Sequence, residues 1–358
     1  MKKIVLTGGG TAGHVTPNIA LLPALQAAGY EIAYVGSYEG IEKKLIADFN
    51  IPYTGISTGK FRRYLDPKNF SDPFRVMKGF VEARNYLKNY QPDVVFSKGG
   101  FVSVPVVRAA ASLHIPCIIH ESDMTPGLAN KLCIPVAEKV CCNFPETMKN
   151  IPADKAVLTG SPIRAELAQG SKLAGLNMCG FTANKPVIMV IGGSLGAANV
   201  NNAVRDALPK LLEDFQVVHL CGKDKIDNLL LNTPGYKQFE YIKAELKDIF
   251  AMADVVISRA GANAICELLA LKKPNILIPL PAASSRGDQL LNAASFEAQG
   301  YSIVLNEDDI TTNLLVAKVH ELYFNRQNYV DAMSKSHQMD AVKTIMELIN
   351  AAAEKKKN

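Results

Sequence analysis

The chain opens with an apolar run, Ile4-Val5-Leu6, that breaks into Thr7-Gly8-Gly9-Gly10-Thr11-Ala12-Gly13-His14 and then into an alanine-rich apolar segment, Asn18 to Ala28. A short apolar run, a glycine turn and a helical pattern together read as a buried parallel strand feeding a helix. The same pattern returns at Val187-Ile188-Met189-Val190-Ile191, followed by Gly192-Gly193-Ser194-Leu195-Gly196-Ala197. Two such openings, with Gly9 and Gly193 lying 184 residues apart, restrict the chain to two similar domains of parallel sheet covered by helices.

Further strand-like runs fit that architecture: Ile32–Val35, Val94–Ser97, Cys117–Ile119 and Ala156–Leu158, then Val217–Leu220, Val255–Ser258, Asn275–Ile278 and Ser302–Leu305. The first set ends around Gly160-Ser161-Pro162-Ile163-Arg164. The expected division is a Rossmann-like domain over 1–162 and a second over 163–339, facing each other across a cleft. Ligands in such sheets bind beyond the carboxyl ends of the strands, so the cleft would hold the site. Val342, Ile345, Met346 and Ile349 form a helical apolar stripe, which predicts a last helix over about 340–358 ending in Lys355-Lys356-Lys357.

A chain of 358 residues suits two domains of ordinary size, and 48% hydrophobic with 20% charged residues is a globular composition. The seven cysteines form no Cys-x-x-Cys pair and several sit in apolar runs, which argues for reduced thiols. The first apolar run stops at Thr7-Gly8, too soon for a signal peptide, and no run reaches the ~18 residues of a membrane span. The net charge of +5 is local. Between Lys60 and Tyr90 eight Lys/Arg stand against Asp66, Asp72 and Glu82, an excess of five that equals the whole chain's. Phe61, Tyr64, Phe70, Phe74, Met77, Phe80 and Val81 interleave with these bases, so part of the stretch is an amphipathic basic helix. Either it buries Phe74, Met77 and Val81 on the sheet, or it presses them into a bilayer while its bases meet anionic lipid. No second basic stripe accompanies it, so a nucleic-acid partner is not expected.

A glycine turn between strand and helix is suited to anions, because backbone N–H groups and the positive helix end point at one spot. Gly8 to Gly13 fits G-x-G-x-x-G, the dinucleotide fingerprint. That fingerprint also needs an acid at the tip of the next strand, ~20 positions on, for the ribose. Here the strand ends Val35-Gly36-Ser37, with Glu31 at its wrong end and Glu39 beyond it. His14 is either a structural imidazole bonded to a carbonyl or a general base, kept neutral by the helix end beside it. Lys98-Gly99-Gly100-Phe101 and His120-Glu121-Ser122-Asp123 follow two further strands. Ser122 or Asp123 would cap a helix, or Glu121 and Asp123 would orient sugar hydroxyls.

In the second half Ser194 sits where a diphosphate cradle belongs, and the small residues of Ala262-Asn263-Ala264-Ile265 would admit a flat base. Glu267 could accept two ribose hydroxyls or be a surface charge. Asp288, Gln289 and Asn292 share one helical turn and would suit a hydroxyl-rich ligand. No Asp-x-Asp triad occurs, so a helix end and an arginine, rather than a carboxylate-held metal, would meet the phosphates.

Six motifs carry a resemblance: Gly9 to Pro17, Lys98 to Pro105, His120 to Lys131, Gly160 to Arg164, Gly192 to Ala197 and Ser285 to Ala293. In that order and together, they resemble the MurG family of peptidoglycan synthesis. The resemblance implies a GT-B glycosyltransferase that moves N-acetylglucosamine from UDP-N-acetylglucosamine to the 4-hydroxyl of the muramoyl residue of lipid I, with inversion, giving lipid II. It implies His14 as the catalytic base, with Glu121 next in line. Donor contacts would come from Thr11, Ala12, Gly13, Arg164, Ser194, Ile242, Ala262, Asn263, Ala264, Ile265, Glu267 and Gln289. Acceptor and diphosphate contacts would come from Gly9, Gly10, Asp123 and Asn130. Arg62, Arg63, Phe74, Arg75, Met77 and Lys78 would form a patch against an anionic membrane, at the cytoplasmic face of the bacterial plasma membrane. The last helix would cross back to the first domain. No cofactor and no protein metal site is expected. Ala12, Ser122-Asp123 and Asn263-Ala264 depart from the family's common Gly, Gln-Asn and Leu-Thr.

Overall fold

The computed structural model describes residues 1–59, 68–192, 197–282, 287–336 and 340–356, without the side chains of 68–73. Arg62, Arg63 and Ser194 lie outside the described residues. The chain forms two compact units, Met1–Arg164 with Asp340–Asn358, and Ala165–Met339.

In the first unit seven parallel strands, β1 (Lys2–Thr7), β2 (Tyr30–Ser37), β3 (Tyr53–Ile56), β4 (Val94–Ser97), β5 (Cys117–Glu121), β6 (Lys139–Cys142) and β7 (Ala156–Leu158), run in the order β3-β2-β1-β4-β5-β6-β7. The inner strands are apolar on both faces, as a sheet covered on both sides requires: Ile4, Val5, Leu6, Val94, Val95, Phe96, Ile118 and Ile119 are all fully buried. β1 pairs with β2 on one side and β4 on the other, so the strand order reverses there. The loops that leave β1 and β4 at this switch point open a crevice at their carboxyl ends.

The second unit repeats the winding with β8 (Val187–Ile191), β9 (Gln216–Leu220), β10 (Tyr236–Phe239), β11 (Val255–Ser258), β12 (Asn275–Leu277) and β13 (Ser302–Val304), ordered β10-β9-β8-β11-β12-β13. Its switch point lies between β8 and β11. Three strands were not expected from sequence: β3, β6 and β10. Tyr-Thr-Gly-Ile and Tyr-Lys-Gln-Phe are edge strands with little apolar signal, and Lys-Val-Cys-Cys is only four residues long. Pairing to a formed neighbour, not local propensity, makes them strands.

The Ala341–Lys355 helix belongs to the first unit, where Ile345, Met346, Ile349, Ala352 and Ala353 pack with Ile4, Leu6, Leu25 and Phe96. Tyr30 Oη donates to Asn350 Oδ1 at 2.8 Å and Lys355 pairs with Glu138 at 2.5 Å, fixing its rotation.

On the Lys68–Tyr90 helix the expectation that the apolar stripe is buried on the sheet does not hold. Phe74, Met77 and Val81 are 79%, 64% and 51% exposed, so they are not the buried face. Ala83 and Leu87 are fully buried and Gly79 points the same way. A Cβ on Gly79 would collide with the Ser57 carbonyl oxygen, so glycine lets this face approach the segment after β3. Among the described residues no helix is long and apolar enough to cross a membrane. The seven cysteines are buried thiols.

Candidate active site

Three loops converge in the first unit, beyond the carboxyl ends of β1, β4 and β5. The first two are drawn together at Gly100, whose φ is +84°. A Cβ there would collide with the Gly9 carbonyl oxygen and stand 3.2 Å from His14 Nδ1, so the second glycine turn lies flat against the first. Lys98 N–H donates to Thr7 O at 2.9 Å and locks the two strand ends in register.

His14 is half-buried in a single turn, Ala12–His14, directly after the glycines. Its Nδ1 lies 3.0 Å from Gly9 O and 3.2 Å from Thr11 Oγ1. A carbonyl oxygen only accepts, so Nδ1 carries the proton and Nε2 keeps its lone pair. Burial, and then the Lys98 charge, push the imidazole pKa down to about 4, against the opposing pull of the Gly9 bond and Glu42. The ring is therefore neutral at physiological pH. Desolvation and an ammonium group produce that state, where the sequence pointed to the helix end.

The strand tip that reads as bare in sequence carries a carboxylate after all. The short Ile41–Ile46 helix returns Glu42, fully buried, to the end of β2. Glu42 Oε1 accepts from Ser37 N–H at 2.9 Å and from the Ser37 hydroxyl, while Oε2 accepts from Gly10 N–H at 3.1 Å. Gly9, Gly36 and Gly40 surround it, and a Cβ on any of the three would run into its carboxylate or stem. A dinucleotide's ribose would need that place, so the fingerprint is not used as one. The expectation that Gly10 offers an open N–H to a diphosphate is also corrected, because Glu42 holds it.

Lys98 is 1% exposed, with Nζ donating to His120 Nδ1 at 2.9 Å and to Ser122 Oγ. His120 Nε2–H in turn donates to Gly160 O at 2.9 Å, and burial followed by the Lys98 charge holds this imidazole well below its usual pKa. Glu121 accepts from Asp123 N and Gly127 N at 3.0 Å each and from Asn130 Nδ2 at 2.9 Å. A carboxylate so committed braces the loop over 122–127, which argues against Glu121 as the next base. Asn130, 6% exposed, spends its other amide hydrogen on His120 O at 3.1 Å, so its Nδ2 braces the loop. Neither Ser122 nor Asp123 caps the following helix; Gly127 precedes Leu128–Cys133 with no side-chain cap. Asp123 is half-buried at the rim.

In the second unit the corresponding place is the end of β11. Gly261 opens the Ala262–Ala270 helix, on which Ala262, Asn263, Ala264 and Glu267 are half-buried. Ile265 is fully buried, which removes its side chain from any ligand and leaves only its backbone. Asn292, 1% exposed, donates to Ala260 O at 3.2 Å, so it braces the turn instead of joining Asp288 and Gln289 on a ligand face. Gln289 Oε1 accepts from Leu280 N–H at 3.1 Å. Arg259, which sequence reasoning passed over, donates to Ile278 O and Pro279 O at 3.1 and 3.3 Å and pairs with Glu307. Ile242 and Arg164 are half-buried, each in a loop. Among the described residues no group of three His, Cys, Asp or Glu is placed to hold a metal ion.

Comparison with known proteins adds a second line of observation. Residues 4–142 match the glycosyltransferase family 28 N-terminal domain and residues 187–349 the glycosyltransferase family 28 C-terminal domain. A relative from Lachnospira eligens is 65% identical over 349 residues, covering 98% of this chain and 99% of its own. One from Clostridium botulinum is 58% identical with the same coverage. Both are named UDP-N-acetylglucosamine–N-acetylmuramyl-(pentapeptide) pyrophosphoryl-undecaprenol N-acetylglucosamine transferase. The crystal structure of Acinetobacter baumannii MurG superimposes with a TM-score of 0.78 at 29% identity, covering 98% of this chain and all of that one.

Proposed function

The chain belongs to glycosyltransferase family 28, among the MurG transferases, and on that premise we propose how its residues divide the reaction. The enzyme transfers N-acetylglucosamine from UDP-N-acetylglucosamine to lipid I, forming lipid II. The step we assign is a single displacement with inversion. His14 Nε2 removes the proton from the muramoyl 4-hydroxyl as that oxygen attacks the anomeric carbon, and the bond to UDP breaks with its electron pair on the departing phosphate. The observation that carries this assignment is the fixed tautomer: Nδ1 is held by Gly9 O, so the lone pair sits on Nε2 beside a switch point.

Charge on the departing UDP would be met by Arg164, Ser194 and backbone N–H groups. Ile242 and the start of the Ala262–Ala270 helix would take the uridine, Glu267 the ribose hydroxyls and Gln289 the sugar. With Gly10 N–H committed inward, the acceptor diphosphate would lie on the outer side of the Gly9–Gly13 turn, near Asp123. The exposed Phe74 and Met77, flanked by Arg75 and Lys78, support a peripheral seat on the anionic cytoplasmic face of the plasma membrane. The scheme uses no metal and no cofactor, so turnover with a chelator present should equal turnover without it.

The test is transfer of radiolabelled N-acetylglucosamine from the UDP-sugar to a lipid I analogue. Label in a lipid-linked disaccharide is the expected result. Binding of the UDP-sugar without transfer to that lipid would instead favour a different acceptor or a binding module.

A further inference from the structure

The Gly9–Gly10 peptide is one planar unit whose two polar atoms are both taken, from opposite sides. Its C=O accepts from His14 Nδ1–H at 3.0 Å, and its N–H donates to Glu42 Oε2 at 3.1 Å. We propose that Glu42 is a positioning residue for His14, acting through this peptide to fix the imidazole in the tautomer whose Nε2 lone pair faces the acceptor hydroxyl. The proposal rests on the assignment of His14 as base.

The physical basis is hydrogen-bond polarisation. A carboxylate that accepts from a peptide N–H draws electron density toward that peptide's oxygen, which makes the oxygen a better acceptor. A buried imidazole whose Nδ1–H is held by a strong acceptor keeps the proton there and leaves Nε2 basic. In a Ser-His-Asp site the carboxylate touches the imidazole directly. Here one peptide bond stands between them. The direct route is closed, because Gly9 and Gly10 occupy the space between the Glu42 carboxylate and the ring. The carboxylate is itself held firmly: it is fully buried, and Ser37 N–H and Oγ bind its other oxygen. The charges that act on His14 are Lys98, which opposes the imidazolium, and Glu42, which favours it.

Glu42→Gln tests this with little change of volume. Whichever way the amide is turned, either Gly10 N–H or Ser37 N–H loses its acceptor, and the charge is gone. The readout is the ¹⁵N spectrum of histidine-labelled protein, with His120 and His219 as internal references, beside kcat, the donor KM and the pH dependence of kcat/KM. In the wild type His14 is expected as the pure Nδ1–H form. In Glu42→Gln it should become a mixture of both tautomers, kcat should fall on the order of 10- to 100-fold, the range found when the outer partner of a metal-bound histidine is removed, and the donor KM should stay within about twofold. The acid limb of kcat/KM should move to lower pH, because a charge favouring the imidazolium has been removed. Simple loosening of the turn would wet His14 and move that limb the other way, toward 6.5.

An unchanged His14 spectrum, or a limb that moves up, would overturn the proposal even if activity falls. Wild-type protein that shows the Nδ1–H form but no transfer to lipid I would refute the transferase scheme instead, while the tautomer comparison would still decide the role of Glu42. If Glu42→Gln does not fold, Ser37→Ala loosens the same carboxylate from its other side. It leaves the charge in place, so the acid limb should not move down; a smaller admixture of the second tautomer is the expected result, and no change in the tautomer would again refute the relay.

Discussion

At the scale of single residues the chemistry turns on protonation. His14 is driven to about 4 by burial and by Lys98, so as a base it is active in its neutral form and loses activity only as pH falls through that value. The acid limb of kcat/KM, which reports the free enzyme, should lie near 4 and not near 6.5. Lys98→Met removes a cation that opposes the imidazolium, so it should raise that limb. The same sign reaches stability. His14 and His219 have folded pKa values of about 4 and about 3, below the unfolded 6.5, so the unfolded chain binds more protons in that interval. Their contribution is complete above about 6.5 and declines as pH drops toward 3, which urea titrations at neutral pH and at pH 4 would show. On the donor side, Glu267→Ala should raise the donor KM far more than the acceptor KM; equal effects would dissociate it from the ribose. His14 was visible in the sequence because an imidazole in a glycine turn is conspicuous. Glu42 was not, because the acid at the tip of β2 comes from the next helix and no spacing rule counts that far. The only trace was glycine at 9, 36 and 40, the positions that make room for it.

Elements show where periodicity informs and where packing overrides it. The long apolar runs became β1, β4, β5, β8 and β11 within a residue or two, since a strand buried on both faces must be apolar throughout. The Lys68–Tyr90 helix was ambiguous for the opposite reason. One apolar stripe, Phe74, Met77 and Val81, faces outward, while Phe80, Ala83, Tyr86, Leu87 and Tyr90 pack inward and Gly79 lets that face come close. With apolar residues on both faces, hydrophobicity alone does not say which is buried. An outward apolar stripe beside Arg75 and Lys78 makes a membrane prediction: Arg75→Gln with Lys78→Gln should weaken binding to anionic vesicles roughly tenfold or more at low salt, at ~1 kcal/mol per charge. Sedimentation with vesicles measures it, and unchanged binding would count against the patch. Gly100→Ala probes the pairing of the two glycine turns. It forces a side chain into a positive φ and onto the Gly9 carbonyl, so it should cost about 1–3 kcal/mol and displace His14, read as lost stability in urea and lost kcat.

For the whole molecule, two sheets with one winding give two switch points, one beside His14 and one beside the Ala262–Ala270 helix. The repeat of strand, glycine turn and helix at residues 4 and 187 was enough to read this from sequence, because few other folds use that opening twice. The role of the first turn was less legible. Its glycines fit a nucleotide fingerprint, yet Glu42 fills the ribose place, and the nucleotide is assigned to the other unit. That division of labour makes His14 the decisive residue, since the first unit then supplies the base and the second the donor. Its direct test is turnover of His14→Ala at saturating UDP-N-acetylglucosamine and lipid I analogue, with donor binding measured on the same protein. The expected result is a kcat reduced ~10²–10⁴-fold with donor affinity intact. Near-normal turnover would contradict the account.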